Sequence, residues 1–215
     1  MEANIATANL LLIATVGYLL ASFPISVQIS RLVYGSDIRE HGSGNAGAAN
    51  MLRIFGWKPA LAVLAVDVGK GGVVAFFAPA LWFADVNCSA GFLQLVAGSA
   101  AVFGHCYPLF MGFRGGKGVA TAAGALLVIY PFAACLCLVV FVVVLLAVRT
   151  VSVAAMVASL SMPVVLLMLR YSFGHDVSSS NLYVAAGLSI FIVFAHRSNI
   201  VRLWFGRERK FRASG

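Results

Sequence analysis

Residues 119–148 read "VATAAGALLVIYPFAACLCLVVFVVVLLAV", and their interpretation decides how often the chain crosses a membrane. The run holds no Asp, Glu, Lys, Arg or His, and only Tyr130-Pro131 interrupts it. Proline there either kinks one long helix or separates two short ones. An unbroken helix over 119–148 would be about 45 Å long, against a hydrocarbon core of about 30 Å. Two short helices meeting at a turn fit better, because short helices are accommodated by packing, snorkelling or local thinning of the bilayer.

The rest of the chain has the same solvent. Of the 215 residues, 61% are hydrophobic and 10% charged, and the mean hydropathy is +0.97. Soluble domains carry about 25% charged residues, so the sequence is that of an integral membrane protein with little left over for a soluble domain. Continuous apolar runs at 5–29, 59–83, 92–110, 119–129, 132–148, 151–169 and 182–194 predict seven transmembrane helices in one all-α domain over 1–215. The amino-terminal "MEANIATANL" has no Lys or Arg and lacks the basic region of a cleaved signal peptide, so the first run is expected to be a retained span.

The net charge of +8 reads as membrane topology rather than nucleic-acid binding. With seven spans, Arg31, Arg39, Arg53, Lys58, Arg114, Lys117, Arg149 and the tail from Arg197 to Arg212 fall on one side. Glu2, Asp85, Asp176 and a single basic residue, Arg170, fall on the other. Basic residues collect in cytoplasmic loops, so the carboxyl terminus is expected in the cytoplasm and the amino terminus outside. A kinked single helix over 119–148 would move Arg149 outside and break the pattern. Cys88, Cys106, Cys135 and Cys137 show no paired metal spacing and read as small apolar residues. Cys135 and Cys137 point to different helix faces.

Three polar segments share the basic side: "HGSGNAGAANMLRIFG" at 41–56, "GHCYPLFMGFRGGKGVAT" at 104–121 and "HRSNIVRLWFGRERKF" at 196–211. The first satisfies G-x-G-x-x-G from Gly42 to Gly47, with Asp67 near the distance at which a dinucleotide fold carries its acidic residue. It follows a membrane helix instead of a strand, and Asp67 lies inside an apolar run, so a dinucleotide site is excluded. A Walker loop fails too: Met111 stands where it needs glycine, and Gly118, not Ser or Thr, follows Lys117. The physics of the look-alike survives. Glycines admit positive φ and close approach of N–H groups to an anion. "NAGAANMLR" reads as a short helix, Ser43 and Asn45 can donate to a phosphate, and Arg53 can clamp one or snorkel to headgroups. In "FRGGKG", Lys117 stands among Gly115, Gly116 and Gly118 at a helix start. It suits an oxyanion site or an ordinary basic turn. His196, Asn199 and Arg202, at i, i+3 and i+6, would share one face of a helix. In the second run Asp67 and Lys70 have i, i+3 spacing. A mutual ion pair is the simplest reading, with Lys70 reaching a cytoplasmic pocket as the alternative.

"SGNAGAANMLRIFG", "DVGKG", "GHCYPLFMGFRGGKGVAT" and "HRSNIVRLWFGRE" together closely resemble the motifs of the bacterial acyl-phosphate:glycerol-3-phosphate acyltransferases, the PlsY family, in order and spacing over nearly the whole chain. The resemblance implies a multi-pass enzyme of the bacterial inner membrane with its site on the cytoplasmic face. It would move a fatty acyl group from acyl phosphate to the 1-hydroxyl of sn-glycerol 3-phosphate, giving lysophosphatidic acid and inorganic phosphate. By analogy with that family, Ser43, Arg53, Lys117, His196 and Asn199 form the catalytic core. Asn45, Gly115, Gly116, Thr121 and Arg202 are candidates for substrate binding. No cofactor or metal is expected; the partners are the two substrates and the bilayer, with no nucleic acid and a monomeric chain. No His is followed five residues on by Asp, so the H-x4-D signature of thioester-using acyltransferases is absent. His196 can serve as general base, or an oxygen of the acyl phosphate can take the proton, or Ser43 can act as nucleophile. An anion transporter or lipid flippase would use similar cations, but would continue its polar residues to the outer face. A protein that merely anchors partners gives no reason for Ser, Arg, Lys, His and Asn to gather.

Overall fold

The computed structural model describes residues 2–210. Phe211 and Arg212 of the basic tail lie outside the described residues. Among the described residues the secondary structure is helical throughout, and the chain divides into two compact units, Met1–Ile129 and Tyr130–Gly215.

The first unit holds α1 (Glu2–Ala21), α2 (Ile25–Tyr34), α3 (Ala48–Phe55), α4 (Trp57–Phe77), α5 (Ala90–Cys106) and α6 (Val119–Ile129). The expected first span at 5–29 is two helices. Pro24 disfavours helix at Phe23 and lacks an N–H. α1 therefore ends at Ala21, and the Ser22 hydroxyl turns back to the Tyr18 carbonyl at 2.7 Å. α2 ends on Gly35, in the left-handed region with φ +67°. It leaves Leu32 and Val33 exposed. α1 packs on α5, and α4 on α6. Small residues set the α4–α6 approach: a Cβ on Gly71 would strike the Thr121 carbonyl, and one on Gly124 the Val68 carbonyl. This is the packing open to helices in lipid, where backbone proximity replaces the hydrophobic drive.

The second unit holds α7 (Pro131–Val148), α8 (Val151–Ser172), α9 (Ser179–Ala195) and α10 (Arg197–Trp204). The turn expected at Tyr130-Pro131 is present, with Pro131 as the first residue of α7 and α6 ending at Ile129. α7 buries only Ala133, Ala134 and Cys137. Cys135, about 200° away around the helix, is exposed, unlike Cys106 and Cys137. A helix apolar on every side with so little covered surface has lipid as its solvent. Hydrogen bonds join the unit: Ser189 Oγ donates to the Ser159 carbonyl at 2.7 Å, and Asn181 Nδ2 to the Tyr130 hydroxyl at 2.6 Å. The last apolar run does not continue straight into the motif that follows it. The axes of α9 and α10 differ by 55°, and His196 stands between the two helices.

Among the described residues, five segments are long and apolar enough to cross a bilayer: Glu2–Tyr34, Trp57–Leu81, Ala90–Met111, Pro131–Val148 and Val151–Ser172. The bent pair α9–α10 makes six if it counts as one. The fourth expected span, Val119–Ile129, is a helix of 11 residues, about 16 Å long and half a hydrocarbon core. The count supported by length and composition is therefore five to six.

Candidate active site

The first polar segment and the turn before it are built around three side chains absent from the candidates above. Asp37 caps a short turn, Ile38–Glu40, by accepting from the Arg39 N–H at 2.9 Å. Its carboxylate also takes Arg39 Nη2 at 2.7 Å and Arg31 Nη2 at 2.8 Å. Arg39 then donates through Nη1 to the Met111 carbonyl at 3.1 Å and the Arg114 carbonyl at 3.4 Å. Two arginines counted as topological charge thus serve one carboxylate, and one of them straps the first segment to the second.

The hydrogen bonds from Arg39 hold the Asp37 carboxyl well below the usual carboxylate range. Burial pushes the other way, and the Arg39 N–H and Arg31 add to the lowering. A carboxyl lowered on folding gives stability that is complete above its unfolded value of about 4 and is lost as pH falls through the lower folded value. Asp37→Asn is therefore expected to lower the thermal unfolding midpoint in detergent by an amount that is constant between about pH 8 and pH 5 and shrinks only in stronger acid. A deficit that disappears between about pH 8 and pH 6 would contradict this assignment.

Asn50, 2% exposed, organises the glycine loop before α3. Its Oδ1 accepts from the Ser43 N–H at 2.9 Å, and its Nδ2 faces the carbonyls of Ile38, His41 and Asn45 at 3.0–3.1 Å. Gly42 and Gly44 take φ +63° and +71°, and a Cβ on Gly42 would strike Asn50 Oδ1. Ser43 and Asn45 are half-buried on this loop. Arg53 is exposed on the last turn of α3, the short helix expected from "NAGAANMLR".

In the second segment the chain leaves α5 and folds back on its end. The Gly115 N–H donates to the Cys106 carbonyl at 3.1 Å and the Gly116 N–H to the His105 carbonyl at 3.0 Å. Gly116 lies against the His105 ring. Lys117, half-buried, precedes Gly118 at φ +79° and the start of α6. Thr121 is fully buried one turn into α6, and its hydroxyl makes no hydrogen bond. Asp67 and Lys70 form the expected ion pair at 2.8 Å, with His105 beside them.

The third segment lies in the second unit. His196 is 2% exposed, and its Nδ1 is 2.8 Å from the Ile192 carbonyl. A carbonyl can only accept, so a proton sits on Nδ1, and in the neutral ring Nε2 carries the lone pair. Asn199 and Arg202 share one face of α10, as their spacing predicted, and meet on Glu208. Asn199 Nδ2 is 2.6 Å from Oε1 and Arg202 Nε 2.8 Å from Oε2, while Ser152 Oγ at the start of α8 is 2.8 Å from Oε1. Burial pushes the Glu208 carboxyl up, but Arg202, Asn199 and Ser152 outweigh it and leave it below its ordinary value. His196 is not on a continuous helix with this pair; it forms the corner from which α10 departs.

The glycerol-3-phosphate acyltransferase family model matches residues 11–206. The chain belongs to the glycerol-3-phosphate acyltransferase family. The glycerol-3-phosphate acyltransferases of Chlorobaculum parvum and Salinibacter ruber are each 40% identical to it, over 223 and 209 aligned residues. The alignments cover 93% of this chain in both cases, and 95% and 91% of the relatives. A crystal structure of PlsY, an integral membrane glycerol 3-phosphate acyltransferase, in its glycerol 3-phosphate form is 35% identical, covers 94% of this chain and 96% of that one, and has a TM-score of 0.81. The lysophosphatidic acid form of PlsY gives 34%, 94%, 95% and 0.79. Like PlsY, this acyltransferase is an all-helical, multi-pass integral membrane protein, and the transporter and anchor readings fall away.

Of the ten candidate residues, the first unit of the acyltransferase carries Ser43, Asn45, Arg53, Gly115, Gly116, Lys117 and Thr121. The second carries His196, Asn199 and Arg202. Asp37, Arg39, Asn50, His105 and Glu208 were missed. A trace of two was visible: Asp37 stands two residues from Arg39, and Glu208 is the one acid in the basic run "RERK".

Proposed function

We propose that the chain transfers a fatty acyl group from acyl phosphate to the 1-hydroxyl of sn-glycerol 3-phosphate, releasing lysophosphatidic acid and inorganic phosphate. The observation that carries this reading is the likeness, over nearly the full length of both chains, to PlsY in its glycerol 3-phosphate and lysophosphatidic acid forms. The hydroxyl oxygen attacks the acyl carbon, the acyl–oxygen bond to phosphate breaks, and the proton leaves with the phosphate. Acyl phosphate is a mixed anhydride with a good leaving group, so one of its own oxygens suffices as proton acceptor. His196, with its lone pair on Nε2, then orients a substrate. Arg53 and Lys117 stabilise charge developing on the carbonyl oxygen and the departing phosphate. Ser43, Asn45, Asn199 and Arg202 bind phosphate oxygens, and the loop at Gly115 and Gly116 receives glycerol 3-phosphate, with Thr121 beneath it. On this reading residues 1–215 act as a single monomeric acyltransferase domain that needs no cofactor.

The same reading puts the enzyme in the bacterial inner membrane with seven transmembrane spans, α6 being a short one. Its amino terminus is external, and its carboxyl terminus and site are cytoplasmic. The charge asymmetry supports this, and a short helix packed on α4 is tolerable by local thinning.

Purified protein given palmitoyl phosphate and glycerol 3-phosphate is expected to form lysophosphatidic acid and phosphate, and to form none from palmitoyl-CoA. Product from the thioester but not from the acyl phosphate would overturn the donor assignment.

A further inference from the structure

Asp67 and Lys70 of α4 and His105 of α5 form a buried cluster that the acyl transfer described above does not use. Their side chains are 4%, 10% and 8% exposed. Lys70 Nζ lies 2.8 Å from Asp67 Oδ1 and 2.7 Å from His105 Nδ1, and His105 Nδ1 lies 3.3 Å from the same carboxylate oxygen. An ammonium group only donates, so His105 Nδ1 accepts from Lys70 and the ring proton sits on Nε2. Nε2 is the atom that a Cβ on Gly116 would strike. The His105 carbonyl meanwhile holds the Gly116 N–H at 3.0 Å, and the next carbonyl, of Cys106, holds Gly115. Both glycines therefore rest on His105 and its neighbour, and the ring is fixed by a charge pair one helix away. Ionisable groups inside a membrane helix are costly. For stability alone, well-packed apolar residues often do as well as a buried ion pair or better, so stability does not account for this one.

We propose that Asp67, Lys70 and His105 are positioning residues for the substrate loop. The pair on α4 sets the ring orientation of His105, and His105 sets the backbone of Gly115 and Gly116 on which glycerol 3-phosphate rests. The inference depends on the proposed role of that loop. It extends that role to three residues that act through the loop.

The test uses full-length protein in detergent, with palmitoyl phosphate and glycerol 3-phosphate varied separately. Three variants are compared: Asp67→Leu/Lys70→Met, which removes both charges together; His105→Phe, which keeps the ring but not Nδ1; and Gly116→Ala, which perturbs the loop itself. The expected result is a rise of about tenfold or more in KM for glycerol 3-phosphate in all three. KM for palmitoyl phosphate and kcat should stay within about twofold in the first two, without loss of unfolding midpoint in the double variant. If that variant does not fold, His105→Phe decides by the same criterion. Unchanged KM for glycerol 3-phosphate in the double variant and His105→Phe, with a rise in Gly116→Ala, overturns the positioning role and leaves the loop assignment standing. A rise confined to KM for palmitoyl phosphate in Gly116→Ala overturns the loop assignment itself. A fall in kcat with both KM values unchanged also overturns the proposal, because a displaced loop acts through substrate binding.

Discussion

Lys117→Ala is expected to lower turnover at saturating substrates about a thousandfold while leaving the protein folded. The loss of one preorganised donor to a developing oxyanion is of the order of 10²–10³ in kcat, and Lys117 supplies a full charge besides. The backbone on either side of it is fixed: the Gly116 N–H is bound to the His105 carbonyl, and Gly118 is held at φ +79° against Val102. The side chain therefore departs from an anchored stretch of backbone. It is half-buried, where a charge interaction is stronger than in water. Arginine at 117 is expected to restore only part of the rate, because its planar fork does not replace a compact ammonium. Arg53→Ala, on an exposed helix turn, is expected to lose about a hundredfold. Formation of lysophosphatidic acid measures both, with the unfolding midpoint as the control for folding. Near-normal turnover in either variant removes that residue from the reaction.

Glu208→Ala is expected to have the largest effect on stability. The carboxylate accepts from Ser152, Asn199 and Arg202, and its side chain is 10% exposed against 34% for Arg202. Truncation leaves two buried neutral donors and a guanidinium without their acceptor. Each unsatisfied donor costs about 1–3 kcal/mol, and breaking a buried charged pair about 3–5 kcal/mol. These terms overlap rather than add, so a total near the upper single value, about 5 kcal/mol, is the expectation. At about 2–4 °C per kcal/mol for a chain of this size, the unfolding midpoint falls on the order of 10 °C. Activity should fall at least about tenfold as well, since Asn199 and Arg202 lose the group that orients them. Ser152→Ala removes one hydrogen bond to the carboxylate and is expected to cost about 2 kcal/mol, less than half the effect of Glu208→Ala. Equal midpoints for Glu208→Ala and the parent protein would show that the cluster contributes nothing to the fold.

The elements most legible in the sequence were those with a local mark at each end. α6 runs from Val119 to Ile129 as read, because Gly118 closes the turn before it and Pro131 begins the next helix. Ser22 and Phe23 gave no such warning: one serine in an apolar run does not mark a helix end, and Pro24 alone carries the break. The corner at His196 was hidden for the opposite reason. Residues 196, 199 and 202 fit one straight helix, and spacing cannot report a change of axis after the first of them. The candidate site was legible as a set of residue types but not as a structure. Asn50, His105 and Glu208 act through partners 5 to 56 positions away in the sequence, and no local pattern announces such a pairing. Asp67 and Lys70 were readable as a pair because a helix places i and i+3 together. Their third member sits on another helix.

Chain order gives the Glu208 cluster a temporal consequence. Ser152, Asn199 and Arg202 are all synthesised before the carboxylate that joins them. A ribosome that has finished α10 has made every donor and no acceptor. Until residue 208 is made, the carboxylate that links α8 to α10 is missing. The link between α8 and α10 is therefore completed only after both helices have been synthesised, on an atom contributed by neither of them.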